Sequence, residues 1–338
     1  MVTTASMPTP EKFFEMAFAF ERTAAINAAV NLDVFTAVSE GAETAAAVSK
    51  RCGASERGIR ILCDFLTING LLIKSGDRYR LTPDSAAFLT KISPTYLGGT
   101  LRFLTSQDIV RNFDNLTDTV RRGSVSPQGN TVAGEEQELW VNFAKAMVPM
   151  MMPAALGIAD ALQIKSAGPV RVLDIAAGHG MFGIVLAQQN LRAEIVAVDW
   201  PGVLAVASEN ARKAGVPERH RTLPGDAFKV EYGSGYDIAL LTNFLHHFDV
   251  PTCTALLRKV AAALKPGGRA VILEFVPNED RVSPPIPAGF SLMMLAGTPA
   301  GDAYTLAELR KMTEDAGFKD GLTTHALPTP ETVVIATK

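Results

Sequence analysis

Cysteine is scarce in this chain: Cys52, Cys63 and Cys253 are all that its 338 residues contain. They are scattered, with no CxxC pair and no grouping with histidine, so neither a disulfide framework nor a zinc site is expected. Thiols used this sparingly are expected to stay reduced and buried, as in a cytoplasmic protein. A surplus of one charge is also missing, because 32 Lys and Arg face 35 Asp and Glu for a net charge of −3. That balance exerts no general pull on nucleic acid. Long apolar runs are absent as well. The segment MVPMMMPAAL is apolar but interrupted by prolines, and no stretch reaches the roughly 20 residues a membrane span needs. The opening MVTTASMPTPEKFFEM has no basic segment leading into an apolar run, so no secretory signal is read there. No acidic cluster has ligand spacing, so no metal is expected.

What remains is an ordinary globular mixture, long enough for two domains with sizeable cores. Residues 11–38 carry Phe13, Phe14, Ala17, Phe18, Ala25, Ile26 and Ala29 at helical spacing. Then TAAAVSKRCGASERGIRILCDFLTINGLL predicts helix, turn and helix, with Gly53 at the break and Ser55 as the cap of the second helix. LLIKSGDRYRLTP predicts two short strands around a Ser-Gly-Asp turn. This outline is a winged helix, which either reads DNA or acts as a dimerisation scaffold. DNA binding needs a basic second helix and wing. Here Arg57, Arg60, Lys74, Arg78 and Arg80 are offset by Glu56, Asp64 and Asp77, so the scaffold reading is preferred. Residues 1–100 are assigned to it, and the apolar face of 11–38 is expected to hold a homodimer together. Residues 101–168 read as a mostly helical linker, whose methionines Met147, Met150, Met151 and Met152 fit core packing or an adaptable pocket wall.

From residue 169 to 338 the pattern alternates. Strands are predicted at 170–175, 194–199, 236–242 and 269–276, each followed by a helical stretch, with a terminal hairpin in GFKDGLTTHALPTPETVVIATK. Alternation of this kind predicts an α/β domain with a mostly parallel sheet. Ligands of such sheets bind outside the C-terminal strand ends. The first strand enters VLDIAAGHGMFG, with Asp174 followed by Gly178, Gly180 and Gly183 as GxGxxG. The second ends in Asp199, about 20 residues past the glycines, where a carboxylate can accept both hydroxyls of a ribose. Trp200 follows, and Asp226 and Phe228 in LPGDAFK stand at another strand end. They suit an adenine, its amino hydrogens accepted by the acid and its face stacked on a ring. A pyrophosphate wants bare backbone N–H groups and would be repelled by Asp174. A cationic nucleoside such as S-adenosylmethionine would not be, and that cofactor is the one expected. A plain strand–helix turn, and Phe228 as simple core, are the alternatives.

The motifs VLDIAAGHG, VAVD, GDAF and LKPGGRAVILE, with the terminal hairpin, resemble the class I S-adenosylmethionine-dependent O-methyltransferases of the caffeate and hydroxyindole type. The resemblance runs over nearly the whole chain. It implies a Rossmann-like seven-stranded sheet, mostly parallel with an antiparallel terminal strand, behind a winged-helix-like dimerisation domain. In TNFLHHFD it implies His246 as the catalytic base. His247 stands where the family has aspartate, with its side chain expected to point elsewhere. A histidine with a pKa near ~6.5 suits removal of a hydroxyl proton at neutral pH. The resemblance also implies that Glu274 orients His246, and Asn243 is counted with the cofactor set. At the family's second glutamate this chain has Ala303, so the two-acid arrangement is incomplete. Phe143, Met147, Phe290, Met293 and Met294 are expected to form an apolar wall for a flat aromatic or polyketide-like acceptor. The same cofactor with C-methylation or non-methylating chemistry, or a cofactor-sensing DNA regulator, are the competing readings.

Overall fold

The computed structural model describes residues 8–125, 138–319 and 321–338. They form two compact units, Met1–Thr105 and Ser106–Lys338. The helices from Gln107 onward in the segment read as a linker therefore belong with the sheet. Helix Val148–Ala161 supplies the reason, because it buries Met151, Ala154, Ala155, Ile158 and Ala159 and packs on the first helix of the sheet domain, Met181–Gln189.

In the first unit, the predicted helix over 11–38 is three helices, Glu11–Ala17, Ala19–Asn31 and Val34–Ser39. The second break lies at Asp33, whose left-handed backbone (φ 61°) cannot continue a helix. Helices Ala45–Cys52 and Glu56–Ile68 follow. Gly53 closes the first in the left-handed region, and the Ser55 hydroxyl accepts the Gly58 N–H to cap the second. Strands β1 (Leu72–Ser75) and β2 (Arg78–Leu81) then pair antiparallel. The core gathers Val34, Phe35, Val48, Ile59, Cys63, Leu66, Leu72 and Tyr79. Most of the cations weighed for DNA binding are held by acids. Arg60 and Lys74 meet Asp64 at 3.2 and 2.5 Å, and Arg78 and Arg80 meet Glu43 at 2.7 and 3.8 Å. The opposite feature is apolar: Phe13, Met16 and Phe20 are 69%, 77% and 67% exposed, and helix Glu11–Ala17 buries nothing.

The second unit is built on seven strands: β3 (Val170–Ile175), β4 (Ala193–Asp199), β5 (His220–Pro224), β6 (Tyr236–Thr242), β7 (Leu264–Glu274), β8 (Leu322–Ala326) and β9 (Thr332–Thr337). Their order is β5-β4-β3-β6-β7-β9-β8. All neighbours are parallel except β9, which runs against β7 and β8. The chain winds outward from β3 to β5, then returns to β6. The ends of β3 and β6 therefore flank the switch point where such sheets open a crevice. Strands β3 and β6 and the second half of β7 are mostly apolar and buried, as in a sheet covered on both faces. Among the described residues, no single helix is long and apolar enough to cross a membrane.

Candidate active site

The turn after β3 is tight. Ala176, Gly178 and Gly180 all lie in the left-handed region, at φ 51°, 57° and 74°. Asp199, at the end of β4, ties this turn down. Its Oδ2 accepts the Gly178 N–H at 2.9 Å and its Oδ1 accepts the Trp200 N–H at 2.7 Å. Trp200 is half-buried and opens helix Pro201–Lys213. His179, inside the glycine turn, is a residue the sequence reading passed over. Its Nδ1 accepts the Met181 N–H at 3.0 Å, and burial lowers its pKa to about 4. A neutral imidazole therefore caps the helix.

Asp174 differs from the expected pocket-lining carboxylate. It is 0% exposed, and its Oδ2 accepts the Gly183 N–H at 3.1 Å. Gly183 is required there, because a Cβ would lie 2.6 Å from the Ile195 side chain and 2.9 Å from the Asp174 carboxylate. Burial, with a smaller contribution from Asp199, pushes the Asp174 pKa up to about 8. Its Oδ1 is buried without a partner among the described residues. Asn243, just past β6, is the second such group. Its backbone is left-handed (φ 53°), its N–H donates to the Leu273 carbonyl, its amide nitrogen lies 3.5 Å from Met151 Sδ, and its Oδ1 is buried and unpartnered. Asp226 is engaged locally, accepting the Phe228 N–H at 2.9 Å and pairing with Lys229 at 3.2 Å. Phe228 packs edge-on against Phe248 at 4.9 Å and beside Phe244 at 6.1 Å.

Past Asn243 the chain makes a single helical turn, Leu245–His247. Glu274, at the end of β7, reaches across to it. Its Oε1 accepts the N–H groups of Phe244 and His246, and its Oε2 lies 2.6 Å from His246 Nδ1. Both side chains are buried. Phe290 stands edge-on to His246 at 4.9 Å and stacks on Phe275 at 4.0 Å. Of the five residues read as an acceptor wall, Phe290 is the one whose ring meets His246. Phe143 enters through Trp140, which packs on both Phe143 and His247. Met147 and Met294 are buried, while Met293 is half-buried. Trp140 and Phe275 escaped the sequence reading because single aromatics in apolar segments carry no motif.

His247 does not point elsewhere. Its ring centroid lies 4.2 Å from that of His246. A loop braces the pair from behind. Gly301 is so close that a Cβ would fall 2.1 Å from the His246 carbonyl oxygen, and the Tyr304 hydroxyl donates to the Phe248 carbonyl. Ala303 is 1% exposed and packs as an apolar residue.

Ala176 carries a side chain in a conformation that disfavours one by roughly 1–2 kcal/mol. Glycine relieves that strain, partly offset by its greater loss of chain entropy on folding. Ala176→Gly is therefore expected to raise stability by about 0.5–1 kcal/mol. Denaturant titration checks this, and a destabilised variant would show that the methyl group contributes packing worth more than the strain.

Comparison with known proteins bears on the whole chain. Residues 133–319 match the family model of the O-methyltransferase domain, and residues 14–91 match that of the O-methyltransferase dimerisation domain. The 3-hydroxy-5-methyl-1-naphthoate 3-O-methyltransferase of Streptomyces sahachiroi is 28% identical over 314 residues, covering 92% of this chain and 90% of the relative. A solved structure of a candidate O-methyltransferase from Nostoc punctiforme is 49% identical with a TM-score of 0.93, covering 98% of this chain and all of that one. Human N-acetylserotonin methyltransferase in complex with SAM shares the fold at 24% identity and a TM-score of 0.86, over 100% and 99% of the two chains. With a family match over more than half of its length and a near-complete structural relative, the chain belongs to the O-methyltransferase family.

Proposed function

We propose that this protein transfers a methyl group from S-adenosylmethionine to a hydroxyl of a small aromatic or polyketide-like acceptor, with His246 as general base. The observation that carries the reading is the buried 2.6 Å contact between His246 Nδ1 and Glu274. The Streptomyces sahachiroi relative is named for O-methylation of a hydroxynaphthoate, which supports the acceptor class.

The residues at the strand ends fit the cofactor. Asp199 occupies the Gly178 N–H, so the turn is not a free amide nest for a phosphate. Two buried oxygens nearby, Asp174 Oδ1 and Asn243 Oδ1, have no partner among the described residues; once Asp174 is ionised both are acceptors, which suits an ammonium group. Asp199 would take the ribose, Trp200, Asp226 and Phe228 the adenine, and the turn at Gly178 and Gly180 the close approach. When bound, S-adenosylmethionine supplies an electrophilic methyl group on a sulfonium. Glu274 holds Nδ1–H of His246, which leaves the lone pair on Nε2. Nε2 would receive the hydroxyl proton as the acceptor oxygen takes the methyl group and the carbon–sulfur bond breaks, leaving a neutral thioether. The imidazolium is stabilised by the same charge-assisted hydrogen bond, and Glu274 is itself held by two backbone N–H groups.

Replacement of His246 by Ala is expected to lower turnover on a phenol by roughly 10²–10⁴ while leaving cofactor affinity nearly intact. Glu274→Gln is expected to give a smaller loss through a poorly oriented imidazole. Full-rate methylation by the His246→Ala protein would remove the base assignment.

Asp174 makes cofactor binding depend on pH. Its raised pKa means the free protein favours the neutral carboxyl, and stability falls as pH rises through about 8. Pairing with an ammonium needs the carboxylate. Affinity should therefore tighten between about pH 6.5 and 8.5, with a proton released on binding at the lower end. Calorimetry in buffers of different ionisation heat measures this release. An Asp174→Asn protein with the same pH slope would assign the effect to another group.

The exposed aromatic face of helix Glu11–Ala17 lies at the edge of the matched dimerisation domain. A homodimer would cover it. Sedimentation should find a dimer for the intact chain, and monomer or aggregate after removal of residues 1–31; a soluble dimer of the shortened chain would place the contact elsewhere.

A further inference from the structure

The family reading uses one imidazole at the acceptor site, but the fold presents two. His247 lies between the base and the aromatic wall. Its ring stands 4.2 Å from that of His246, at 62° to it, and 5.5 Å from Trp140, at 77°. The His246 ring also meets Phe290, on which Phe275 stacks. The imidazole of His247 is thus a hydrogen-bonding group set among carbon surfaces.

Its bonding is incomplete. Nδ1 is buried and has no partner among the described residues. A buried polar atom left unpaired costs about 1–3 kcal/mol, which phenylalanine at this position would avoid. The ring is also kept neutral. Burial, and then the proximity of His246, lower its pKa well below the ordinary value. A neutral imidazole offers one donor and one acceptor, whereas the aspartate found there in the family offers only acceptors. The backbone beneath is fixed, because Gly301 abuts the His246 carbonyl so closely that a Cβ would not fit. The pair therefore presents a set spacing.

We infer that His247 recognises the acceptor, its imidazole meeting a second oxygen on the ring carbon next to the one whose hydroxyl is methylated. This rests on the reading of the His246 site as a methyl-acceptor site, and it narrows the substrate to arenes oxygenated on adjacent carbons. With His246 committed to the reacting hydroxyl, His247 is the neighbouring polar group with bonding capacity to spare. It can donate to a carbonyl or carboxylate oxygen, or accept from a hydroxyl. Ala303, buried and apolar, contributes no acid to that task.

Two probes that differ by one oxygen test this: 2,3-dihydroxynaphthalene and 2-naphthol. The quantity read is the ratio of their kcat/KM values with S-adenosylmethionine, compared between proteins so that intrinsic reactivity cancels. The wild-type ratio should favour the dihydroxy probe, and His247→Phe should lower that ratio about 10-fold or more, whatever the absolute rates. His247→Asn, which keeps a donor and an acceptor, should give an intermediate ratio and serves as the second variant if the phenylalanine protein does not fold. An unchanged ratio, or an equal loss on both probes, overturns the inference; the latter would mean that His247 acts through His246. The same preference is read without turnover by calorimetric titration of each probe into protein loaded with S-adenosylhomocysteine. If wild type transfers no methyl group but binds the dihydroxy probe preferentially, and His247→Phe loses that preference, recognition by His247 stands and the methyl-transfer reading fails. If neither probe binds wild type, or both bind equally, the inference fails.

Discussion

One carboxylate organises the centre of this protein. Glu274 projects from the end of β7, accepts two backbone N–H groups of the turn after β6 and lies 2.6 Å from Nδ1 of the His246 ring. A buried carboxylate is costly unless its oxygens are satisfied. Here the donors come from the adjacent strand's own turn, so the residue that orients the imidazole also holds the peptide that carries it. The parallel pairing of β6 with β7, ending at Thr242 opposite Leu273, brings the two together. A one-residue slip would turn Glu274 to the other face of the sheet.

Around that carboxylate, the same economy recurs at the other strand ends. Asp199 ends β4 and uses both oxygens on the turn after β3 and the start of the next helix. Asn243 follows β6 with a backbone bond to β7 and an amide nitrogen turned towards Met151. These polar groups first fix the backbone of the crevice, and only some of their capacity remains for a ligand. That remainder is informative. Among the described residues, Asp174 and Asn243 each keep one buried oxygen without a partner, and both can accept from a donor once Asp174 is ionised.

The acceptor side is built differently, from rings. Trp140 meets His247 and Phe290 meets His246 edge-on, and Phe143 and Phe275 pack in turn on Trp140 and Phe290. Edge-to-face packing fixes ring orientation as well as excluding water. His246 and His247 sit within this wall at a spacing set by the loop behind them, where Gly301 allows backbone to touch backbone. Two imidazoles and one carboxylate thus stand beside a cluster of aromatic rings.

Local rules are enough for some of this architecture. Alternation of apolar strands with helices specifies the parallel sheet, and the terminal hairpin specifies its antiparallel strand, because both follow from periodicity and turn residues. Gly53 and Ser55 are legible for the same reason, since a left-handed closing residue and a side-chain cap are local needs. The sequence also placed Asp174, Asp199, Asn243, His246 and Glu274 at strand ends, because loops after parallel strands gather on one side of the sheet. What each side chain does there depended on neighbours distant in the chain. Asp174 is buried with one oxygen on the Gly183 N–H, Trp140 comes from another helix to meet His247, and His247 turns towards His246. The helices of residues 138–161 join the sheet domain because an apolar face packs wherever a complementary face waits, which sequence spacing cannot specify. Sequence determined which chemical groups reach the crevice. Tertiary packing, acting through burial and hydrogen-bond partners contributed from afar, decided their charge, their orientation and the company they keep.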